Sequence, residues 1–295
     1  MPKQNYTIAV IQLNLNNTPE NNLKKCTDWV NKAAKQGAEV ICLPELYSSH
    51  YFCQSEDTEN FKFAEPLYGT SFKAFSELAK TLGVVIIVPF FEKRMAGVYH
   101  NSAYIIDTDG SEAGLYRKMH IPDDPYFYEK FYFTPGDLGF KTIATKKGKV
   151  GTLICWDQWY PEAARLTALQ GAEVLFYPTA IGWHPKEKEA FGKNQHGAWM
   201  NVMKGHAVAN GTFVAAANRI GLEQYIAGTE GIEFWGSSFI CGPQGEILAQ
   251  ASHDKEEILM ADIDLRLQED VRQNWPFLRD RRIDMYGNIT KRVID

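Results

Sequence analysis

Short apolar runs that end at proline recur along the chain. Residues 36–44 read QGAEVICLP, and residues 170–178 read QGAEVLFYP. Each run follows a segment whose apolar positions have the spacing of an amphipathic helix. The first helix is predicted to begin at Thr18-Pro19-Glu20, an N-cap followed by proline in the first turn, and the second near Pro161-Glu162. The glycine of each QGAEV fits the position just beyond a helix, where a left-handed backbone is needed. Weaker helix–glycine–strand patterns lie at 77–91 (ELAKTLGVVIIVPFF) and 205–219 (GHAVANGTFVAAANR). Residues 102–118 and 237–250 read as hairpins with glycine in their turns.

The chain therefore divides into two similar halves, roughly 6–145 and 149–260, each with strands, two helices and a hairpin. Strands covered by helices on one face need an apolar partner on the other. Two sheets packed face to face with helices outside satisfy both halves, so the expected fold is an α/β four-layer α-β-β-α sandwich with an internal pseudo-twofold repeat. The alternative is one doubly wound sheet, but no GxGxxG follows a strand to support a nucleotide-binding version of it. No low-complexity linker separates the halves, so residues 1–295 are expected to form one domain with its core at about 6–262. The tail, 263–295, is expected to wrap the domain or a partner.

Composition narrows the function classes. Of 295 residues, 45% are hydrophobic and 23% charged, with a net charge of −5. No basic stripe points to nucleic acid or an anionic membrane, and the basic run RDRRIDMY carries its own acids. No apolar run approaches the ~20 residues of a membrane span. Cys26, Cys42, Cys53, Cys155 and Cys241 are odd in number and lack metal-ligand spacing, which suits free thiols in a reducing compartment. The N-terminus enters a strand pattern without a long apolar segment, so a cytoplasmic location is expected.

Chemistry is expected where the two halves differ. Glu45 follows CLP, whereas Thr179 follows FYP. Lys118 ends the first hairpin, and the region around AQASH in the second has no lysine. Cys155 ends KVGTLIC, where the N-terminal strand TIAVIQ is read as placing Gln12. Singly, each has a plain reading: a small buried thiol, a solvated or ion-paired acid or base. Together, at strand ends, they form a nucleophile, a base and an oxyanion donor. Glu45 takes the thiol proton, Cys155 attacks a carbonyl carbon, and Lys118 stabilises the oxyanion with backbone N–H groups near Trp156. No metal or cofactor is required. A Cys–His dyad is the rival, with His100, His120, His184, His196 and His206 available.

PELY with Glu45, YRKMHIP with Lys118 and ICWDQWYPE with Cys155, in this order and followed by GHAVANGTFVAAANR and GSSFICGPQGEIL, resemble the motifs of the nitrilase superfamily of carbon–nitrogen hydrolases over nearly the whole chain. The resemblance implies the α-β-β-α sandwich, a Glu–Lys–Cys triad, and assembly through dimers. It matches Glu129, in FYEKFYFTPGD, to a further glutamate that positions the lysine and assists proton transfer; the plain reading is a loop acid paired with Lys130. CWDQWYPE, HIPDDPYFYEKFYFTPGD and DRRIDMY most resemble the branch acting on N-carbamoylputrescine, although DDPYFYEK departs from the glycine-containing stretch common there. The implied substrate is a small molecule with a cationic amine at its far end. Asp157, Glu187 or Glu189 are candidates to meet that amine, with Tyr51, Trp156 and Trp183 as aromatic walls and His120 lining the same pocket. Glu187 and Glu189 are read as lying in a loop, equally a solvated surface. A carbamoyl amino acid or β-ureidopropionate would need an arginine instead, for which Arg219 is available. A catalytically silent binding protein is the alternative from another class.

Overall fold

The computed structural model describes residues 5–224 and 228–294. The first half runs β1 (Asn5–Gln12), α1 (Pro19–Lys35), β2 (Val40–Cys42), α2 (Thr70–Leu82), β3 (Val85–Met95), β4 (Val98–Ile106) and β5 (Glu112–Arg117), followed by a single helical turn, α3 (Glu129–Tyr132). The second runs β6 (Thr142–Ala144), β7 (Lys149–Thr152), α4 (Pro161–Ala168), β8 (Val174–Pro178), β9 (Gly182–Trp183), α5 (Pro185–Asn210), β10 (Phe213–Ala217), β11 (Ile220–Glu223), β12 (Ile232–Trp235), β13 (Phe239–Cys241), β14 (Ile247–Gln250), β15 (Glu257–Asp264) and α6 (Leu265–Asn274). Thr18 caps α1 by accepting from the Asn21 N–H, and Pro161 opens α4, both where the sequence signals lie. Gly37 and Gly171 of the two QGAEV runs both take positive φ, 102° and 92°, which frees the chain to turn from helix into strand.

Two six-stranded sheets result, ordered β15-β1-β2-β3-β4-β5 and β14-β13-β10-β8-β7-β6, with a small third sheet, β11-β12-β9. In each large sheet three parallel strands are flanked by antiparallel ones. The parallel strands are buried on both faces, which is why they read as unbroken apolar runs. Alternation decides which layer each residue joins: Ile8, Val10, Val40, Cys42, Val85 and Ile87 face the second sheet, whereas Ala9, Ile11, Ile41, Ile86 and Val88 meet α1 and α2. The expected four layers are present, and the single doubly wound sheet is excluded.

Three expectations need correction. The halves exchange edge strands: β6 pairs with β7, and β15 pairs with β1, so residues 142–144 belong to the second sheet and 257–264 to the first. Strand register also moves the partner of Cys155. Ile8 pairs with Val40 and Val150 with Val174, so five residues on from each, Leu13 and not Gln12 corresponds to Cys155. The KEKE run is no loop; it forms the first turns of α5 after Pro185. Beyond the repeat, α6 lies back on the domain: Gln268 donates to Glu173 O and Arg272 to Asn210 O. The residues after it leave large apolar side chains exposed, among them Trp275, Ile283 and Met285.

The exchange of edges makes β15 a clamp across the two halves, with Ile263 fully buried between the sheets. Ile263→Ala is expected to cost about 2–5 kcal/mol of unfolding free energy, a cavity cost in a core that cannot collapse locally. Urea denaturation followed by circular dichroism measures it; a loss below about 1 kcal/mol would mean the edge strand does not carry the inter-sheet core.

Candidate active site

The segments that follow β2, β5 and β7 meet at one end of the two sheets. After β2 the chain turns at Leu43–Pro44 and presents Glu45; after β5 the next residue is Lys118; three residues past β7 comes Cys155. Glu45 and Lys118 are fully buried, and Cys155 nearly so. Lys118 Nζ donates to Glu45 Oε1 at 2.8 Å and to Glu129 Oε2 at 2.6 Å. Asn101, from β4, donates to the same Glu45 oxygen at 2.7 Å. Tyr51 OH donates to Glu129 Oε1 at 2.6 Å. The other Glu45 oxygen, Oε2, is buried without a hydrogen-bond partner among the described residues. Two of the three N–H donors of Lys118 are thus engaged, and one Glu45 oxygen remains to accept a proton.

Cys155 sits at φ 41°, a backbone region that a residue with a side chain rarely occupies. It opens a short 3₁₀ turn, Cys155–Trp159, and its Sγ lies 3.8 Å from Ala180 O. Burial pushes the thiol well above its ordinary range; Glu45 adds to the rise, Lys118 opposes it, and Glu129 adds further. These influences favour the thiol over the thiolate, within the field of two carboxyl groups and one ammonium. Burial works against the charge of Lys118, but Glu129 and Glu45 outweigh it and hold the ammonium well above the ordinary lysine value. Burial raises Glu129 to about 7, with Lys118 opposing and Glu45 adding. This carboxyl binds its proton more tightly folded than unfolded. Its contribution to stability is complete below its ordinary value of 4.5 and is lost as pH rises through about 7.

A cleft of about 470 Å³ opens over Cys155 and Glu129. Trp156, Trp159, Phe127, Ile181 and Trp235 supply apolar walls, while Asp124, Glu187 and His184 also line it. None of the described lining residues is lysine or arginine.

The structure brings together Glu45, Lys118, Cys155 and Glu129, and it places Trp156 and Glu187 in the cleft. Glu129 is bound to Lys118 rather than to Lys130, which instead lies 4.0 Å from Asp123. Other residues expected in the pocket serve the site from behind. Tyr51 is fully buried and holds Glu129, so it is a support and not an aromatic wall. Asp157 is fully buried; it accepts from the N–H groups of Ile154 and His120, from Tyr116 OH and from His120 Nδ1, leaving nothing for a ligand amine. His120 stacks on Tyr160 with ring centroids 3.6 Å apart and faces Asp157, outside the cleft. Trp183 stands one layer back: its indole donates to Gly192 O and packs on Trp235. Glu189 is exposed on α5 away from the lining. Arg219 is fully buried and bound to protein groups, so it offers no guanidinium to a ligand carboxylate. The charges that act on Cys155 come from Glu45, Lys118 and Glu129 rather than a histidine. His100 faces Thr134 O and His206 faces Gln158 O, while His196 lies among Trp183, Trp199 and Trp235.

Asn101, Asp124, Trp159 and Trp235 escape sequence reasoning because each reads as an ordinary strand, loop or core residue. Repeat comparison, applied further, finds Arg219. Val40 pairs with Val85 and Val174 with Phe213, so six residues on from Val85 and Phe213, Phe91 and Arg219 correspond.

The Carbon-nitrogen hydrolase family matches residues 7–273. An N-carbamoylputrescine amidase of Solanum tuberosum is 47% identical over 95% of this chain and 93% of its own length. A citrullinase of Francisella tularensis is 42% identical over 98% of this chain and 99% of its own. A crystal structure of a carbon–nitrogen hydrolase from Helicobacter pylori G27 is 49% identical and superposes with a TM-score of 0.95 over 98% of this chain and 100% of that one.

The Tyr51 hydroxyl lowers the affinity of Glu129 for its proton, so Tyr51→Phe should move the Glu129 midpoint upward from about 7. Difference infrared spectroscopy of the carboxyl stretch, scanned by pH across that midpoint of about 7 and with Glu129→Gln to assign the band, is the measurement. A midpoint that stays in place would remove Tyr51 from the site.

Proposed function

Because the chain belongs to the carbon–nitrogen hydrolase family, we propose that it hydrolyses N-carbamoylputrescine to putrescine, carbon dioxide and ammonia, with Cys155 as nucleophile, Glu45 as general base, Lys118 as oxyanion donor and Glu129 as the group that orients Lys118 and relays protons. The observation that supports the substrate is the charge inventory of the cleft: the exposed acids Asp124 and Glu187, apolar walls, and no lysine or arginine among its described lining residues.

The proposed chemistry uses these groups in turn. The ureido carbon sits over Cys155. Sulfur attacks it while the thiol proton moves to the unpartnered Oε2 of Glu45. The oxyanion lies against the free N–H of Lys118 and the backbone N–H at Trp156. Collapse of the tetrahedral adduct, with the proton returned from Glu45, breaks one C–N bond, expels an amine and leaves a carbamoyl thioester on Cys155. Water, deprotonated by Glu45, adds to that carbon; the C–S bond breaks and the thiol is restored. If ammonia leaves first, the second step yields the carbamate of putrescine, which loses carbon dioxide. If putrescine leaves first, carbamic acid is released and decomposes to carbon dioxide and ammonia. The balance is the same: one ureido compound and one water give two amines and carbon dioxide.

The four-carbon chain lies along Trp156, Trp159 and Trp235, and the far ammonium meets Glu187 and Asp124. A carbamoyl amino acid or β-ureidopropionate ends in a carboxylate without an ammonium, and that end would face these acids with no guanidinium to offset them, since Arg219 is committed elsewhere; citrulline carries an ammonium and a carboxylate together, and its carboxylate meets the same repulsion. The reading includes a cytoplasmic homodimer: five unpaired, buried cysteines suit a reducing compartment, and the exposed apolar residues of the tail offer a surface to a second copy.

Ammonia release from N-carbamoylputrescine, N-carbamoyl-β-alanine, citrulline and a simple amide should favour the first, and Cys155→Ala should abolish it with an unchanged circular dichroism spectrum. Preference for a carboxylate-ended substrate overturns the assignment, and turnover by the alanine variant overturns the nucleophile. Lys118→Met should lower activity far more than it lowers stability; a matched loss of both would mark the lysine as structural.

Glu187→Gln and Asp124→Asn together should raise KM for N-carbamoylputrescine by about tenfold, the loss of a charge-assisted contact, and leave kcat within about twofold. An unchanged KM places the amine elsewhere.

A further inference from the structure

We propose that Arg219 and Glu223 are positioning residues for both acids of the active site: a buried ion pair that holds Glu45 through its backbone and Glu129 through Tyr51. The proposal rests on the hydrolytic reading above and extends it to residues that do not line the cleft.

Arg219 is fully buried, and four of its five N–H donors bind the protein itself. Its Nη1 donates to Glu223 Oε1 at 2.8 Å. Its Nε donates to Glu45 O at 3.2 Å, and its Nη2 donates to Leu46 O at 2.6 Å and Ser49 O at 2.8 Å. One guanidinium thus gathers three carbonyls of the turn that presents Glu45. That turn contains Leu46 at φ 48°, a conformation a leucine holds only when its surroundings enforce it. Glu223 uses its second oxygen, Oε2, to accept the Tyr51 N–H at 2.6 Å. Tyr51 OH holds Glu129, Glu129 holds Lys118, and Lys118 returns to Glu45. The contacts close into a ring: Arg219, Glu223, Tyr51, Glu129, Lys118, Glu45 and back to Arg219.

The pair also ties this ring to the wall of the cleft. Glu223 ends β11, whose partner β12 carries Phe234 and the cleft residue Trp235. The Arg219 guanidinium lies 5.7 Å from the centre of the Phe234 ring, and the Tyr51 ring lies 5.7 Å from the same ring. The small third sheet is therefore both a side of the cleft and the anchor of the two acids.

Energetics argue for geometry over stability as the reason for this pair. A buried ion pair can often be exchanged for uncharged groups of similar size without loss of stability, whereas removing one partner strands a charge. A misplacement of about 1 Å at a reacting group lowers rate on the order of 100-fold. The position matching Arg219 in the first half is Phe91, packed among Phe52, Phe133 and Tyr99 in an aromatic cluster. At equivalent places in the repeat, one half uses apolar packing and the other a charge, so the scaffold by itself does not call for an ion pair here.

Three forms test this: wild type, Arg219→Met, and Arg219→Met with Glu223→Gln, in which the amide oxygen still accepts the Tyr51 N–H. The single variant strands Glu223 and should melt lowest. The double variant should recover most of that loss, yet keep kcat for N-carbamoylputrescine about 10–100-fold down with KM within about twofold. Recovery of kcat together with melting temperature, or a loss confined to KM, overturns the proposal. A second measurement is independent of the substrate: the rate of Cys155 alkylation by iodoacetamide against pH, read by mass spectrometry of the Cys155 peptide. Displaced acids shift its midpoint in the double variant. If the wild type hydrolyses no ureido compound, the functional reading fails on its own; an unchanged alkylation profile in the double variant sinks the positioning role in either case.

Discussion

A single buried ammonium shared by two carboxylates is the interaction on which the rest of this structure depends. Lys118 has no exposed surface, and neither does Glu45 or Glu129. Charges at such depth persist only when they are paired and their remaining polar atoms are satisfied. The fold meets most of that demand with side chains from separate stretches: Asn101 on one oxygen of Glu45, Tyr51 on one oxygen of Glu129, and the ammonium between the two acids; the second oxygen of Glu45 is the exception, without a partner among the described residues. Three of these groups carry or share charge, so shifting any one alters the protonation of the others. Burial is the main reason that Glu129 sits at about 7, well above an ordinary glutamate; Lys118 opposes the rise and Glu45 adds to it.

The pseudo-twofold repeat gives this arrangement a control inside the same molecule. Where Glu45 stands in the first half, Thr179 stands in the second, and its hydroxyl donates to Gln158. The position of Cys155 is taken by Leu13, fully buried, and its neighbour Gln12 bonds to Ser252 O, Lys255 O and the Ser238 N–H. The equivalent turns are closed by ordinary packing and neutral hydrogen bonds. Both sets of turns share one scaffold at the same end of the sandwich, and only one set concentrates ionisable groups. The scaffold therefore explains where a site can form, and the residues that break the repeat explain which set of turns became one.

Much of this is legible in the sequence, for a physical reason. The QGAEV echo, the Thr18-Pro19 cap and the glycine turns are local signals, and the elements they mark are present. Glu45, Lys118 and Cys155 stand out because they interrupt a repeat at strand ends. What sequence does not carry is whatever depends on pairing between distant strands. Matching Gln12 to Cys155 goes wrong because a linear alignment of two strands supplies no register, and one residue of slip changes the face. Edge exchange between halves is invisible for the same reason, since the partners of β6 and β15 are set by the sheet and not by sequence neighbours. Asp157 and His120 mislead because adjacency to a reactive residue in sequence says nothing about which way a side chain points, and Tyr51 and Trp183 because an aromatic residue type says nothing about whether it faces the cleft or the layer behind it. Asp157 turns inward to bind the N–H groups of Ile154 and His120, and so braces the turn that strains Cys155.

The position of the charges also bears on how a thiol with a raised proton affinity can serve as a nucleophile. Burial and Glu45 keep the sulfur protonated at rest, so no thiolate needs to be stabilised before substrate arrives. On the proposed reading, the proton moves to Glu45 only as sulfur meets carbon. At that moment negative charge leaves the Glu45 carboxylate and develops on the substrate oxygen. Lys118 touches the first and is placed to touch the second, so its count of negative neighbours stays nearly constant through the step. Charge is passed across one fixed ammonium, with Glu129 holding that ammonium from the other side. A site built this way needs little rearrangement as the reaction proceeds, because its dipoles and charges are already where the transition state requires them. The unusual depth of Lys118 and the strained turns at Leu46 and Cys155 then have a common explanation: each fixes in advance a geometry that mobile, solvated groups would reach only rarely.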